Sequence, residues 1–253
     1  MTAHSKYNLE IFQTTESLNR AAAEFIISKA SQAISARGRF IISLSGGQTP
    51  QNLYSLLAEP FFCDQVQWKK TFIFWGDERC VPLDDDRNNA YQARSILLDK
   101  VDIPLSNIHF IPVNLSPGEA ARRYEQELKD FFRAEPIRFD LMLLGLGENG
   151  HTASLFPYTK VIDEQAEGVR EIYVEEEKMF RVTMTAPLIN RSHHILFLVT
   201  GEKKAGILKK ILTASYQPEN YPAQLIKPDD GTLYLFADRA AATLIKVKKV
   251  KSK

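Results

Sequence analysis

The chain has 253 residues, enough for one large α/β domain. Hydrophobic residues make up 44% and charged residues 25%, and 32 basic against 31 acidic side chains leave a net charge of +1. That balance argues against a nucleic-acid partner, which calls for a basic excess, and no apolar run approaches the roughly 20 residues of a bilayer span. The N-terminal MTAHSKYNLEIF lacks the basic region and apolar stretch of a secretory signal. Cys63 and Cys80 show no metal-type spacing and read as free thiols of a reducing cytosol. The expectation is a cytoplasmic, monomeric globular protein whose partner is a small molecule rather than nucleic acid or membrane.

Taken in chain order, residues 15–36 carry Leu18, Ala22, Phe25, Ile26, Ala30 and Ala33 close to one helical face. A strand follows at 40–44 and stops at Ser45-Gly46-Gly47, and a helix then opens with Pro50 in its first turn. The alternation continues with a strand at 71–75, a helix at 88–98, a strand at 107–112 and a helix at 117–132 opened by Ser116. The apolar strand 139–144 runs into a Gly-rich turn. Strands near 171–174, 181–185, 195–199 and 232–237 complete the pattern, with a helix at 203–212. Strands alternating with helices predict right-handed βαβ units, hence an α/β fold with a doubly wound, mostly parallel sheet covered by helices on both faces. Residues 1–245 read as one domain without repeats or linkers, and the basic stretch 246–253 reads as a solvated tail.

In such a sheet, ligands bind beyond the carboxyl ends of the strands. Three segments with unusual residues fall there. In Ser45-Gly46-Gly47-Gln48-Thr49-Pro50, two glycines admit close backbone approach and the next helix offers free N–H groups to an anion. A plain strand-to-helix turn with Thr49 as N-cap fits that segment equally well. In Trp75-Gly76-Asp77-Glu78-Arg79, the guanidinium of Arg79 could face a phosphate with Asp77 or Glu78 holding it, or the three charges could form an internal ion pair at the rim. In Gly145-Leu146-Gly147-Glu148-Asn149-Gly150-His151, a histidine follows a glycine-dense turn at the end of the most apolar strand. Its ordinary pKa near neutrality suits proton transfer, and the glycine-rich backbone could donate to an oxyanion. A lone histidine is more often structural, but three such segments on one edge favour the catalytic reading.

His193 and His194 are adjacent, so on a strand they point to opposite faces and cannot share a metal. No Glu-x-x-His pair or Cys/His cluster occurs, so no catalytic metal is expected. Ser154 is not in a Gly-x-Ser-x-Gly elbow, which argues against a serine-esterase mechanism.

With these segments in view, the sequence resembles the 6-phosphogluconolactonases. The matching motifs are SGGQTP at 45–50, WGDER at 75–79, Asn89-Ala90-Tyr91, GLGENGHTASLFP at 145–157, RVTMTAPLIN at 181–190 and VTGEKKAGIL at 199–208. With Pro222-Ala223 and the run Ala237 to Ala240, they span nearly the whole chain in the family's order. The resemblance implies a sheet of the kind shared with glucosamine-6-phosphate deaminase and ribose-5-phosphate isomerase. It implies hydrolysis of 6-phospho-D-glucono-1,5-lactone to 6-phosphogluconate in the oxidative pentose phosphate pathway, without an organic cofactor. It assigns catalysis to His151 with Asn149 beside it, and substrate binding to Gly46, Gly47, Thr49, Asp77, Arg79, Arg181 and Lys203, with Lys178 less securely aligned. The family usually carries Asp where this chain has Asn149, and an amide cannot supply the charge that stabilises an imidazolium. Glu148 is the neighbouring anion.

Two other readings compete. Deaminases on this scaffold typically place a working carboxylate five residues after the histidine, where this chain has Phe156. A non-catalytic sugar-phosphate sensor is the alternative of a different class, and Asn149 is the feature that speaks for it.

Overall fold

The computed structural model describes residues 7–133 and 135–245. Its strands are β1 (Tyr7–Phe12), β2 (Phe40–Leu44), β3 (Thr71–Trp75), β4 (Asp77–Arg79), β5 (Leu141–Gly145), β6 (Val169–Val174), β7 (Met179–Met184), β8 (His194–Val199) and β9 (Thr232–Asp238). The helices are α1 (Thr15–Arg37), α2 (Gln48–Leu57), α3 (Pro60–Cys63), α4 (Asn89–Ile96), α5 (Pro117–Phe132), α6 (Ala186–Asn190) and α7 (Ala205–Thr213).

Six strands form one sheet in the order β1-β9-β8-β5-β2-β3, with every neighbouring pair parallel. Central strands of such a sheet are covered on both faces, which is why β2 is buried throughout and β5 everywhere but its terminal Gly145. The alternation of β9 shows the two layers. Tyr234 and Phe236 pack edge-on against Phe25 of α1, whereas Leu233 and Leu235 face the side where Ile211 and Leu212 of α7 lie. The doubly wound α/β architecture expected from the alternation is the one observed, and one contiguous apolar cluster joins its layers.

Three features differ from the sequence expectation. The segment 107–112 is not a strand: after a tight turn at Leu105–Asn107 it makes a single bridge, Ile108 with Ile73, and His109 N–H donates to Ile73 O at 2.9 Å. Pro112 has no N–H to extend the ladder, and Val113 bonds back to Ile111. The strands near 171–174 and 181–185 exist, but they join no parallel sheet; β6 and β7 form an antiparallel hairpin, and Asp77–Arg79 adds to it as β4. An unforeseen strand, β1, runs along β9 from Tyr7↔Leu233 to Phe12↔Asp238. The basic stretch 246–253 lies outside the described residues.

Candidate active site

The carboxyl ends of the strands open onto a cavity of about 610 Å³ lined by all three segments singled out above, together with Arg181 of β7 and Thr200 and Lys204 ahead of α7. Two buried tyrosines hold the strand ends open. Tyr54 of α2 accepts from Ser45 N–H at 3.0 Å and donates to Ser45 O at 2.7 Å. Tyr124 of α5 does the same at Trp75, at 2.9 and 3.1 Å. A hydroxyl that both donates and accepts replaces a ladder partner, so the backbone can leave the sheet without stranding buried polar groups.

His151 sits where β5 ends. Its Nδ1 lies 2.5 Å from Asn149 Oδ1, and the same oxygen accepts from His151 N–H at 3.2 Å. The backbone donor fixes the oxygen end of the amide toward the ring, so Nδ1 carries the proton and the lone pair is on Nε2. The ring stacks on Phe156, 4.1 Å between centroids. Gly147 is obligatory here, because a Cβ would fall 2.1 Å from His151 Nδ1. Burial, then the positive charges of Arg181 and Lys204, push the imidazole pKa down to about 4, so it is a neutral base at cellular pH.

Groups suited to holding an anion line the same cavity. Gly47, at φ 104°, precedes α2 without a side-chain cap, so the first amides of that helix are free. A Cβ on Gly46 would fall 1.8 Å from Asn89 Oδ1, so glycine there lets the loop lie directly on Asn89. Thr49 is inside α2 rather than its N-cap, and its hydroxyl meets that of Thr200 at 2.6 Å. Arg79 Nη1 donates to Arg87 O at 2.7 Å and its buried Nε has no partner among the described residues.

The acids do not hold Arg79, as the sequence reading allowed. Asp77 lies 3.7 Å from the Arg181 guanidinium and accepts from Ser154 Oγ at 2.6 Å. Glu78 caps α4, accepting from Asn89 N–H at 2.7 Å, Ala90 N–H at 2.8 Å and Arg79 N–H at 2.8 Å. Burial raises its carboxyl to about 7 against those bonds. Glu148 is exposed, and its charge bears on Lys204 rather than on His151.

Gly46, Gly47, Thr49, Asp77, Arg79, Asn149, His151 and Arg181 thus share one cavity. Lys203 is exposed and does not line it; Lys204 does, because successive residues of the tight turn Glu202–Lys204 point about 120° apart. Lys178 is also exposed and outside the cavity, at the tip of the β6–β7 hairpin. The glycine turn spends its own amides: Gly147 N–H bonds His151 O at 2.9 Å, Gly150 N–H bonds Gly147 O at 3.0 Å, and His151 N–H bonds Asn149. Those three are not oxyanion donors. The sequence reading missed Lys204, Thr200 and Glu177. Lys204 adjoins the residue chosen and needed only the turn's phase, whereas Glu177 stands in a run of three acids that reads as a solvated loop.

Fold and site together define an α/β protein that can hold a small anion beside a neutral imidazole. A family model described as glucosamine-6-phosphate isomerases/6-phosphogluconolactonase matches residues 13–235. A 6-phosphogluconolactonase of Synechocystis sp. is 41% identical over 224 residues, 87% of this chain and 90% of the relative. A solved 6-phosphogluconolactonase from Trypanosoma cruzi has a TM-score of 0.84 at 27% identity, covering 97% of this chain and 100% of its own. A monomeric glucosamine-6-phosphate deaminase, at 22% identity and a TM-score of 0.79 over 94% of this chain and 99% of its own, shares the fold alone. The chain belongs to the glucosamine-6-phosphate isomerase/6-phosphogluconolactonase family.

Proposed function

We propose that this protein hydrolyses 6-phospho-D-glucono-1,5-lactone to 6-phosphogluconate, with His151 as general base. The supporting observation is the Nδ1–H···Oδ1 contact to Asn149 at 2.5 Å, which leaves the Nε2 lone pair of a neutral imidazole beside a cavity rich in anion-binding groups. The free amides at the start of α2, Lys204, Arg79 and Arg181 bind the phosphate and set the lactone carbonyl near His151. Nε2 takes a proton from water as the water oxygen attacks C1. The imidazolium returns a proton to the ring oxygen as the C1–O bond breaks. This route asks for no organic cofactor. Among the described residues no group of three or more His, Cys, Asp or Glu side chains could hold a metal ion, and the histidine-activated water asks for none.

Phe156 occupies the position at which a deaminase would carry its working carboxylate, and its ring packs on the imidazole. The geometry therefore favours hydrolysis over deamination. No helix among the described residues is long and apolar enough to cross a membrane, and we place the reaction in the cytoplasm.

Formation of 6-phosphogluconate above the spontaneous rate, compared for wild type and His151→Ala, tests the reading. The variant should fold and lose at least about a hundredfold in kcat, the span of a general base. A folded variant that turns over like wild type would remove His151 from the mechanism, and a wild type without turnover would leave the sensor reading.

A further inference from the structure

We propose that Glu177 is a resident competitor for the substrate's phosphate: its carboxylate pairs with the Arg181 guanidinium and must be displaced when the phosphate binds. The inference rests on the phosphate assignment above. Arg181 is buried, with a side-chain exposure of 5%, and has two carboxylate neighbours of different kinds. Asp77 is equally buried, lies 3.7 Å away and is tied to Ser154 Oγ at 2.6 Å, so it is a permanent interior counter-ion. Glu177 pairs with Arg181 Nη2 from the turn of the β6–β7 hairpin, and its side chain keeps 37% exposure. It can swing into solvent at little cost, whereas Asp77 cannot.

The Arg181 guanidinium thus faces two carboxylates, one fixed in the interior and one free to leave. The one free to leave is Glu177, which lines the cavity with Arg181 from the exposed hairpin turn. Arg181 Nε is buried and has no partner among the described residues, so the guanidinium keeps donor capacity that Glu177 does not use. A phosphate dianion offers more charge and more acceptor oxygens than the carboxylate it replaces, and can take both donors. Burial would raise the Glu177 carboxyl, but the bond and charge of Arg181, with Arg79 and His151 adding, hold it below its ordinary value. The consequence falls on product release. The product retains the same phosphate, and a tethered carboxylate that recaptures Arg181 favours its departure.

Calorimetric binding of inorganic phosphate at pH 8, with no turnover involved, tests this in wild type, Glu177→Gln and Glu177→Asp. Phosphate should bind about five- to tenfold more tightly to Glu177→Gln, in line with the usual range of coupling between competing ligands. The shorter Glu177→Asp should fall between, because it keeps the charge but loses reach. In wild type, the carbon resonance of the Glu177 carboxyl should titrate at higher pH once phosphate is bound, a response that a purely structural residue would not give. Unchanged or weaker phosphate binding in folded Glu177→Gln, or an unmoved titration, would overturn the proposal. Failure of wild type to hydrolyse the lactone would overturn the lactonase reading and leave these binding results standing on their own.

Discussion

At the scale of single residues, Asn149 and Arg79 carry the sharpest consequences. Asn149 fixes the tautomer of His151 without lending it charge, and burial with the charges of Arg181 and Lys204 keeps the imidazole of the free protein unprotonated down to about pH 4. The acidic limb of kcat/KM, which reports the free enzyme, should lie well below the ordinary imidazole range. In the complex, the phosphate cancels the field of Arg181 and Lys204, which disfavours the imidazolium, so the limb of kcat should lie at higher pH. Asn149→Asp keeps the Nδ1–H bond and adds a negative charge beside the ring, stabilising the imidazolium and raising its pKa. Its kcat/KM limb should move to higher pH by a unit or so, as is usual for a carboxylate beside a histidine. Glu148→Gln should leave the limb in place, since Glu148 faces Lys204. A pH–rate profile of each variant decides, and an unmoved limb in Asn149→Asp would show that the amide only orients the ring. Among the described residues Arg79 makes no ion pair, in contrast to Arg181. Arg79→Ala should therefore raise KM for the phosphorylated lactone by about tenfold or more, the loss of one charge-assisted contact, and leave unphosphorylated gluconolactone nearly unaffected. Equal damage to both substrates would move the phosphate contact away from Arg79.

At the scale of elements, the turn after β5 that carries His151 is self-contained in hydrogen bonds and pinned from behind. Ala223 N–H donates to Gly150 O at 2.9 Å, and Ile207 of α7 stands beside Gly150. The turn works only because Gly147 leaves room for the imidazole: a methyl group there would fall within 2.1–2.8 Å of three ring atoms. Gly147→Ala should displace the ring, cost about a hundredfold or more in kcat, and leave substrate affinity within a few-fold, because the groups proposed to bind the phosphate lie on α2, β4 and β7 and ahead of α7, outside this turn. Thermal unfolding of the variant should stay near wild type. A large drop in unfolding temperature with kcat preserved among folded molecules would mean that the turn yields and the ring does not. The sequence marked this turn by its glycine density, but it could not show that the same glycines spend their amides internally.

At the scale of the whole molecule, the buried titratable groups set how stability responds to pH. His151 and His194 both have pKa values pushed down to about 4, chiefly by burial, and His193 is lowered as well. A histidine with a depressed folded pKa binds fewer protons folded than unfolded. Its contribution is full above the unfolded value near 6.5 and is lost as pH falls toward 4. Glu78 works in the opposite sense: its carboxyl, raised to about 7, binds protons more readily folded, so its burial costs least below about pH 4.5 and most above pH 7. The histidines outnumber it, so the unfolding temperature should fall as pH drops from 6.5 to 4.5. In a His151→Gln, His194→Gln double variant the decline should flatten or reverse, because Glu78 then opposes His193 alone among these groups. A double variant with the full wild-type decline would place the pH sensitivity elsewhere. Calorimetric scans across that pH range give the answer.

The sequence by itself determined the alternation of strands and helices, the apolar strand β5, and the three strand-end segments that line the cavity. These are local signals: apolar runs, turn glycines and charges beside them, each readable within about ten residues. Resemblance by motif carried the family as well, because its motifs are spread along nearly the whole chain. Only the tertiary structure decided what depends on partners distant in sequence. β1 is a strand because β9 pairs with it across more than two hundred residues of chain, and β6 with β7 leaves the main sheet to pair with β4. The same holds for charge. Asp77 could have served Arg79, and Lys203 could have faced the cavity, until the folded geometry set Arg181 beside Asp77 and turned Lys204 inward. A side chain's partner is fixed by through-space distance and by the cost of leaving a buried charge alone, and neither quantity exists until the chain has folded.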